Sequence, residues 1–128
     1  MALGPYHQIA IACGTSGTNS LVISEDFFGD TTPHVHKLLG ETGTDETWYN
    51  PGDNHYFFPQ NTPAAAPASP TLGVVDTFGD DPFSFVPQVD TPNPGGVGNK
   101  VAADPVANYV YVPVTPTSAT TSNVCQRQ

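Results

Sequence analysis

The chain is poor in charged residues, and above all in basic ones. Only 12% of its 128 residues are charged, where soluble proteins carry about 25%. Twelve acidic residues stand against three basic ones, which gives a formal net charge of −9. A surface this negative repels nucleic-acid phosphates and anionic membranes, so nucleic acid is not expected as a partner.

Long apolar runs are also absent. No stretch approaches the roughly 20 residues that a transmembrane helix needs, so no membrane span is expected. The first residues lack the basic start and the continuous apolar stretch of a signal peptide. The chain is therefore either cytoplasmic or separated from its leader. Its low charge, abundant Pro and Thr, and two cysteines favour the second case, an extracellular or cell-surface location.

A helical period is missing as well. Alternation and turn residues divide the chain into nine short apolar stretches. They cover residues 7–13, 19–24, 33–39, 45–49, 54–60, 71–77, 83–89, 97–103 and 108–114. Twelve glycines and 14 prolines, with seven Phe and five Tyr, favour turns and strands over helices. The sequence predicts an all-β fold.

Several short motifs recur in one order, which indicates an internal repeat. At a separation of 54 residues, Asn50-Pro51, Asn54 and Pro59 correspond to Asp104-Pro105, Asn108 and Pro113. "LVIS" (21–24) matches "GVVD" (73–76), "FGD" occurs at 28–30 and 78–80, and "GPYHQIAIA" (4–12) is a partial copy of "NPGDNHYFF" (50–58). In Asx-Pro-x-x-Asn, proline fixes φ, the Asx side chain caps the turn, and Asn tolerates the left-handed conformation of a tight hairpin.

We expect one β-repeat domain with repeats at about 7–53 and 54–107, an extra strand at 108–114 and a Thr/Ser-rich tail at 115–128. A unit of about 50 residues with four strands has the size of a propeller blade. "VAADPVANYVYVPV" (101–114) resembles the signature D-P-x-x-N-x-V-Y-V of YVTN-type β-propeller proteins, and "DETWYNPGDNHYFF" (45–58) resembles a diverged copy. The resemblance implies antiparallel four-stranded blades in an incomplete propeller.

An incomplete propeller exposes a flat sheet face at each end and unpaired strand edges, which promote association. We therefore expect a non-catalytic structural protein without a cofactor, whose partner is itself, in a ring or a fibre. Strand 108–114 is expected to have no partner of its own kind, and to complete a blade begun by residues 7–49 in the same chain or a neighbouring copy.

A ligand- or metal-binding module with a site between blades is the alternative function. His34 and His36 alternate on one predicted strand, so both side chains leave the same face. Asp45, Glu46 and His55 are the further candidate ligands for a transition metal. Polar strand faces and turn caps are the competing interpretation of these residues. A lactonase-like hydrolase, implied by the resemblance and formed only when an oligomer closes, ranks third.

Two cysteines lie near opposite ends of the chain. A disulfide between Cys13 and Cys125 would close a loop of about 110 residues and add about 4 kcal/mol of stability. A bridge between copies and two unrelated free thiols are the alternatives. Their spacing fits no zinc motif.

Overall fold

The computed structural model describes residues 1–15, 17–25, 32–40, 43–60, 71–78, 83, 85–90, 100–114 and 124–127. In this part of the chain the strands are β1 Ala2–Leu3, β2 Ile9–Ile11, β3 Ser20–Ser24, β4 His34–Leu38, β5 Trp48–Asn50, β6 His55–Gln60, β7 Thr71–Asp76, β8 Phe85–Asp90, β9 Ala102–Asp104, β10 Tyr109–Val114 and β11 Val124–Arg127. No helix occurs among these residues, and so none that is long and apolar enough to cross a bilayer. The predicted all-β fold is confirmed.

The strands form three antiparallel sheets, each following the order of the chain. The first sheet is β1-β2-β3-β4, the second is β5-β6-β7-β8, and the third is β9-β10-β11. Each pair of hydrogen-bonded neighbours is antiparallel. Short turns rich in Gly, Pro, Asn and Asp join several neighbours, because these residues adopt the backbone angles that hairpins need.

The second sheet packs between the other two. One core cluster joins the first and second sheets and contains Ala10, Val22, Leu38, Tyr56, Phe58 and Val75. The other joins the second and third sheets and contains Phe57, Leu72, Val74, Val101, Val110 and Val112. Strand β6 therefore buries apolar side chains on both faces, which explains why "HYFF" does not alternate between apolar and polar residues.

Neighbouring sheets approach each other at their first strands. The backbone of β1 lies close to that of β5, and β5 lies close to β9. The hairpin turns at this edge also touch, because Asn50 Nδ2 donates a 2.8 Å hydrogen bond to Asn108 Oδ1. The first strands thus form a row across the three sheets.

The repeated turn has the conformation that its sequence predicts. Asn54 and Asn108 have φ of 61° and 54°, in the left-handed region, and Tyr6 and His7 have 52° and 61° in the β1–β2 turn. Asn50 Oδ1 accepts a hydrogen bond from Gly52 N. Asp104 Oδ1 accepts two, from the backbone of the residues that follow Pro105. Asx capping and left-handed Asn therefore close these hairpins as expected.

The sheets divide the chain differently from the expected repeats. The boundary placed at 53/54 lies within the β5–β6 turn, and residues 45–49 lead into the second sheet instead of ending the first. The expectation that strand 108–114 completes a blade begun by residues 7–49 was wrong, because β10 pairs with β9 and β11 and both of its edges are occupied. Strands β1 and β11 were not predicted. The "FGD" copy at 28–30 lies outside the described residues.

Candidate functional site

The outward side of the first sheet is an apolar face. Cross-strand pairs share one side of a sheet, and two rows of pairs define this side: Leu3, Ile9, Ile23 and Val35, then Ile11, Leu21 and Lys37. The opposite side carries Ala10 and Val22, which are buried against the second sheet. Leu3 is 73% exposed and Val35 is 58% exposed. We call Leu3, Ile9, Ile11, Leu21, Ile23 and Val35 the first end face.

The third sheet has a corresponding outward side. Val110 and Val112 point towards the second sheet, so the alternating residues of β10 lie on the other side. Tyr111 is 39% exposed there, next to its cross-strand partner Ala102, which is also exposed. We call Ala102, Tyr109, Tyr111 and Pro113 the second end face. The two end faces are thus the outer surfaces of the stack.

The predicted histidine pair lies on one strand, β4, as expected. His34 is exposed and His36 is half-buried. His36 Nε2 lies 3.1 Å from Ser24 Oγ, and the His36 ring lies 4.4 Å from the ring of Phe83. His36 therefore packs against β3 through Ser24 and against the turn that contains Phe83.

The acidic pair lies in the segment that leads into β5. Glu46 Oε2 accepts a 3.3 Å hydrogen bond from Val101 N and lies 3.8 Å from Lys100 Nζ, so it connects the second sheet to the start of the third. The Asp45 carboxylate lies against Gly14, in the turn after β2. Each acid therefore contacts a different neighbour.

The fifth candidate ligand belongs to the β5–β6 turn. His55 Nδ1 lies 3.4 Å from Asp53 Oδ1, and His55 N donates to the same oxygen at 3.2 Å. Among the described residues, no three His, Cys, Asp or Glu side chains are grouped so that they can hold a metal ion. The structure therefore does not bring the predicted set together: His34, His36, Asp45, Glu46 and His55.

The cysteines can be followed only in part. Cys13 is a free, partly buried thiol, and its backbone N donates to Ser20 Oγ at 3.2 Å. The backbone register places Cys125 beside Pro113, and its side chain lies outside the described residues. The proposed bridge between Cys13 and Cys125 stays a prediction.

An open cleft of about 290 Å³ lies between the first strands of the first two sheets. It is lined by Met1, Ala2, Leu3, Thr47, Trp48 and Tyr49. The Thr47 hydroxyl is buried and has no hydrogen-bond partner in the described part of the chain. Burial, with Asp53 and Tyr6 nearby, raises the pKa of the Tyr49 phenol, which donates to Asn54 Oδ1 at 2.9 Å. The lining residues other than Thr47 have aliphatic or aromatic side chains.

Comparisons with protein-family models, with curated proteins and with solved structures gave no match. The pair of end faces is therefore the feature of the described residues that bears most on function. The sequence predicted an exposed sheet face at each end of the stack without indicating its residues. The signal was present in β2 and β3, where "IAI" and "LVI" are apolar at consecutive positions, so that each strand has an apolar residue on both sides.

Proposed function

We propose that the chain is a non-catalytic structural protein made of propeller-blade-type sheets, and that it self-associates through its end faces into a ring or a fibre. Three antiparallel sheets in chain order, stacked face to face and closest at their first strands, support the blade interpretation. The Asx-Pro-x-x-Asn turns support the resemblance to YVTN-type propellers. An extracellular or cell-surface location is part of the same proposal.

The first end face carries the proposal. Lys37 is the one charged member of its two rows, and the other members are aliphatic. Apolar patches of this kind are typical of protein–protein contacts. Covering about 500 Å² of apolar surface on each partner contributes more than about 10 kcal/mol before the cost of ordering. This contribution favours association and opposes the cost of bringing two copies together.

Sedimentation velocity tests the proposal. The purified protein is measured over a hundredfold range of concentration, and the mean mass is expected to rise as copies associate. Negative-stain microscopy of the associated fraction then distinguishes rings from fibres. A compact monomer of 13.5 kDa at every concentration would contradict the proposal.

A further inference from the structure

We propose that copies associate head to tail, with the second end face of one copy packed on the first end face of the next. This inference rests on the proposed self-association and adds which surfaces meet. It follows from the two contacts between sheets that already exist inside the chain. Those contacts show what each side of a sheet packs against.

The first end face corresponds to the side of the second sheet that packs on the first. Ile9 pairs with Ile23 as Tyr56 pairs with Val75, and each pair joins the second and third strands of its sheet. Tyr56 and Val75 are fully buried against the first sheet. The first end face therefore has the apolar residues of a buried side, without a preceding sheet to cover them in the described part of the chain.

The second end face corresponds to the other side of the second sheet. Tyr111 stands 54 residues after Phe57, at the same place in its sheet. Phe57 is 5% exposed because it packs against Val110 and Val112 of the third sheet. Tyr111 thus places an aromatic ring on the third sheet at the position where Phe57 of the second sheet packs against the sheet that follows it. A following sheet with aliphatic residues at the Val110 and Val112 positions fits this surface, and Ile9 and Ile11 supply them in another copy.

The hairpin turns beside the two end faces also carry complementary hydrogen-bonding groups. Inside the chain, Asn50 donates a hydrogen bond to Asn108 between successive turns. At a head-to-tail contact, Asp104 takes the place of Asn50. The register that sets Ile9 level with Tyr56 puts His7 in the place of Asn108, and His7 Nδ1 lies 3.0 Å from Glu25 Oε2, so its Nε2 faces this contact in our proposal. A carboxylate accepts where the Asn50 amide donates, and an imidazole N–H donates where the Asn108 carbonyl accepts. The donor and the acceptor are exchanged and the contact is preserved.

A second copy supplies the surface that such a contact needs. A contact that covers about 500 Å² on each partner buries about 1,000 Å² in total, which reaches the lower limit for a specific interface between proteins. Because the two faces correspond to opposite sides of the repeating sheet, contact between two first end faces has no counterpart inside the chain. Contacts of unlike faces form rings or filaments.

Two variants that each disable one end face test this arrangement. Val35→Asp places a carboxylate on the first end face and Tyr111→Asp places one on the second, at positions exposed enough for the fold to tolerate them. A buried unpaired charge is expected to weaken its contact by at least about a hundredfold. Each variant alone is expected to be monomeric in sedimentation velocity. An equimolar mixture is expected to form a 1:1 dimer, because each variant keeps the face that the other has lost.

Thr15→Asp is the matched control, since it adds the same charge at an exposed position in the β2–β3 turn and should assemble like the wild type. Circular dichroism checks folding, and Val35→Thr with Tyr111→Thr repeats the test if an aspartate variant unfolds. If either variant alone still dimerises, like faces meet and the head-to-tail arrangement is wrong. A wild type that is itself monomeric instead overturns the proposed function.

Discussion

Asn108 combines two roles within one turn. Its φ of 54° lies in the left-handed region, which asparagine adopts more readily than most side chains. Its Oδ1 accepts the 2.8 Å hydrogen bond from Asn50 Nδ2, so the same residue shapes its own hairpin and connects it to the neighbouring sheet. The motif predicted the first role. It gave no indication of the second, because a contact over 58 residues depends on how the sheets stack.

Replacing Asn108 separates these roles. Asn108→Gly keeps the left-handed conformation and loses the hydrogen bond, which is expected to lower the free energy of unfolding by about 1 kcal/mol. Asn108→Ala loses both and is expected to cost about 2 kcal/mol, because alanine is strained at positive φ. Urea denaturation measures both values. Equal losses for the two variants would show that the backbone conformation contributes nothing.

The raised pKa of the Tyr56 phenol leads us to expect a loss of stability at alkaline pH. Burial, and secondarily the nearby Tyr49, raises the pKa of Tyr56 above the usual value of about 10, and its hydroxyl lies 3.4 Å from Gln8 Oε1. Above pH 10 the unfolded chain releases this proton while the folded chain retains it, so the free energy of unfolding falls as pH rises. Below pH 10 this contribution is fully present.

Denaturation at pH 8 and pH 10.5 measures that fall, and Tyr56→Phe is the comparison. The variant cannot ionise at this position, so its stability should decrease less between the two pH values than that of the wild type. Other tyrosines contribute equally to both proteins and cancel. An identical decrease in both would contradict the role assigned to Tyr56.

At the scale of elements, the strands with the strongest patterns were predicted, and the two at the ends of the chain, β1 and β11, were missed. The apolar stretch 54–60 and the repeated turn before it indicated a strand, and β6 lies there, covered on both faces. Strand β1 has two residues, too few for a period, and β11 lies in the segment that was expected to be a Thr/Ser-rich tail, 115–128. The expectation for 108–114 failed for two reasons: β9 lies at the end of the predicted stretch 97–103 without a sign of its pairing with β10, and β11 was not predicted.

The β5–β6 turn depends on a residue without a side chain. A Cβ on Gly52 would lie 2.6 Å from the carbonyl oxygen of Pro105 in the neighbouring turn, which is too close for any real contact. Gly52→Ala is therefore expected to push the two turns apart and to lower the free energy of unfolding by about 1–3 kcal/mol. Thermal and urea denaturation measure the change.

Val106 provides the control, since it holds the same place in the β9–β10 turn and is 95% exposed. Val106→Ala is expected to change the stability of the monomer by less than about 0.5 kcal/mol. If Gly52→Ala is as well tolerated as Val106→Ala, the turns can separate without loss and their contact does not stabilise the stack.

At the scale of the whole molecule, the internal repeat predicted which surfaces are exposed, but it did not locate a ligand site. The sequence predicted exposed sheet faces at both ends of the stack, and the described residues have them. It also suggested a metal site from five side chains, but His34 and His36 lie on β4 while Glu46 contacts Lys100 and Val101. Spacing along a strand places two ligands on one side of a sheet. It cannot bring in a third from another sheet, because that depends on packing.

Val106 also bears on assembly. In a head-to-tail array the Val106 side chain would face the next copy. The equivalent residue inside the chain is Gly52, whose lack of a side chain allows the two neighbouring turns to approach closely. Val106→Gly is therefore expected to lower the dissociation constant of self-association, measured by sedimentation equilibrium, while leaving the fold unchanged. Weaker association of this variant would show instead that Val106 makes an apolar contact between copies. The contact between two copies would then differ from the contact between the β5–β6 and β9–β10 turns inside the chain.

The grouping of strands into three sheets also restricts symmetry. A ring of copies that each contribute the three described sheets contains a number of sheets divisible by three. Single-ring propellers typically hold about four to eight blades, a range in which six is the sole multiple of three. Closure on that pattern therefore takes two chains related by a two-fold axis, with twice the chain mass of 13.5 kDa, whereas a filament can add chains indefinitely.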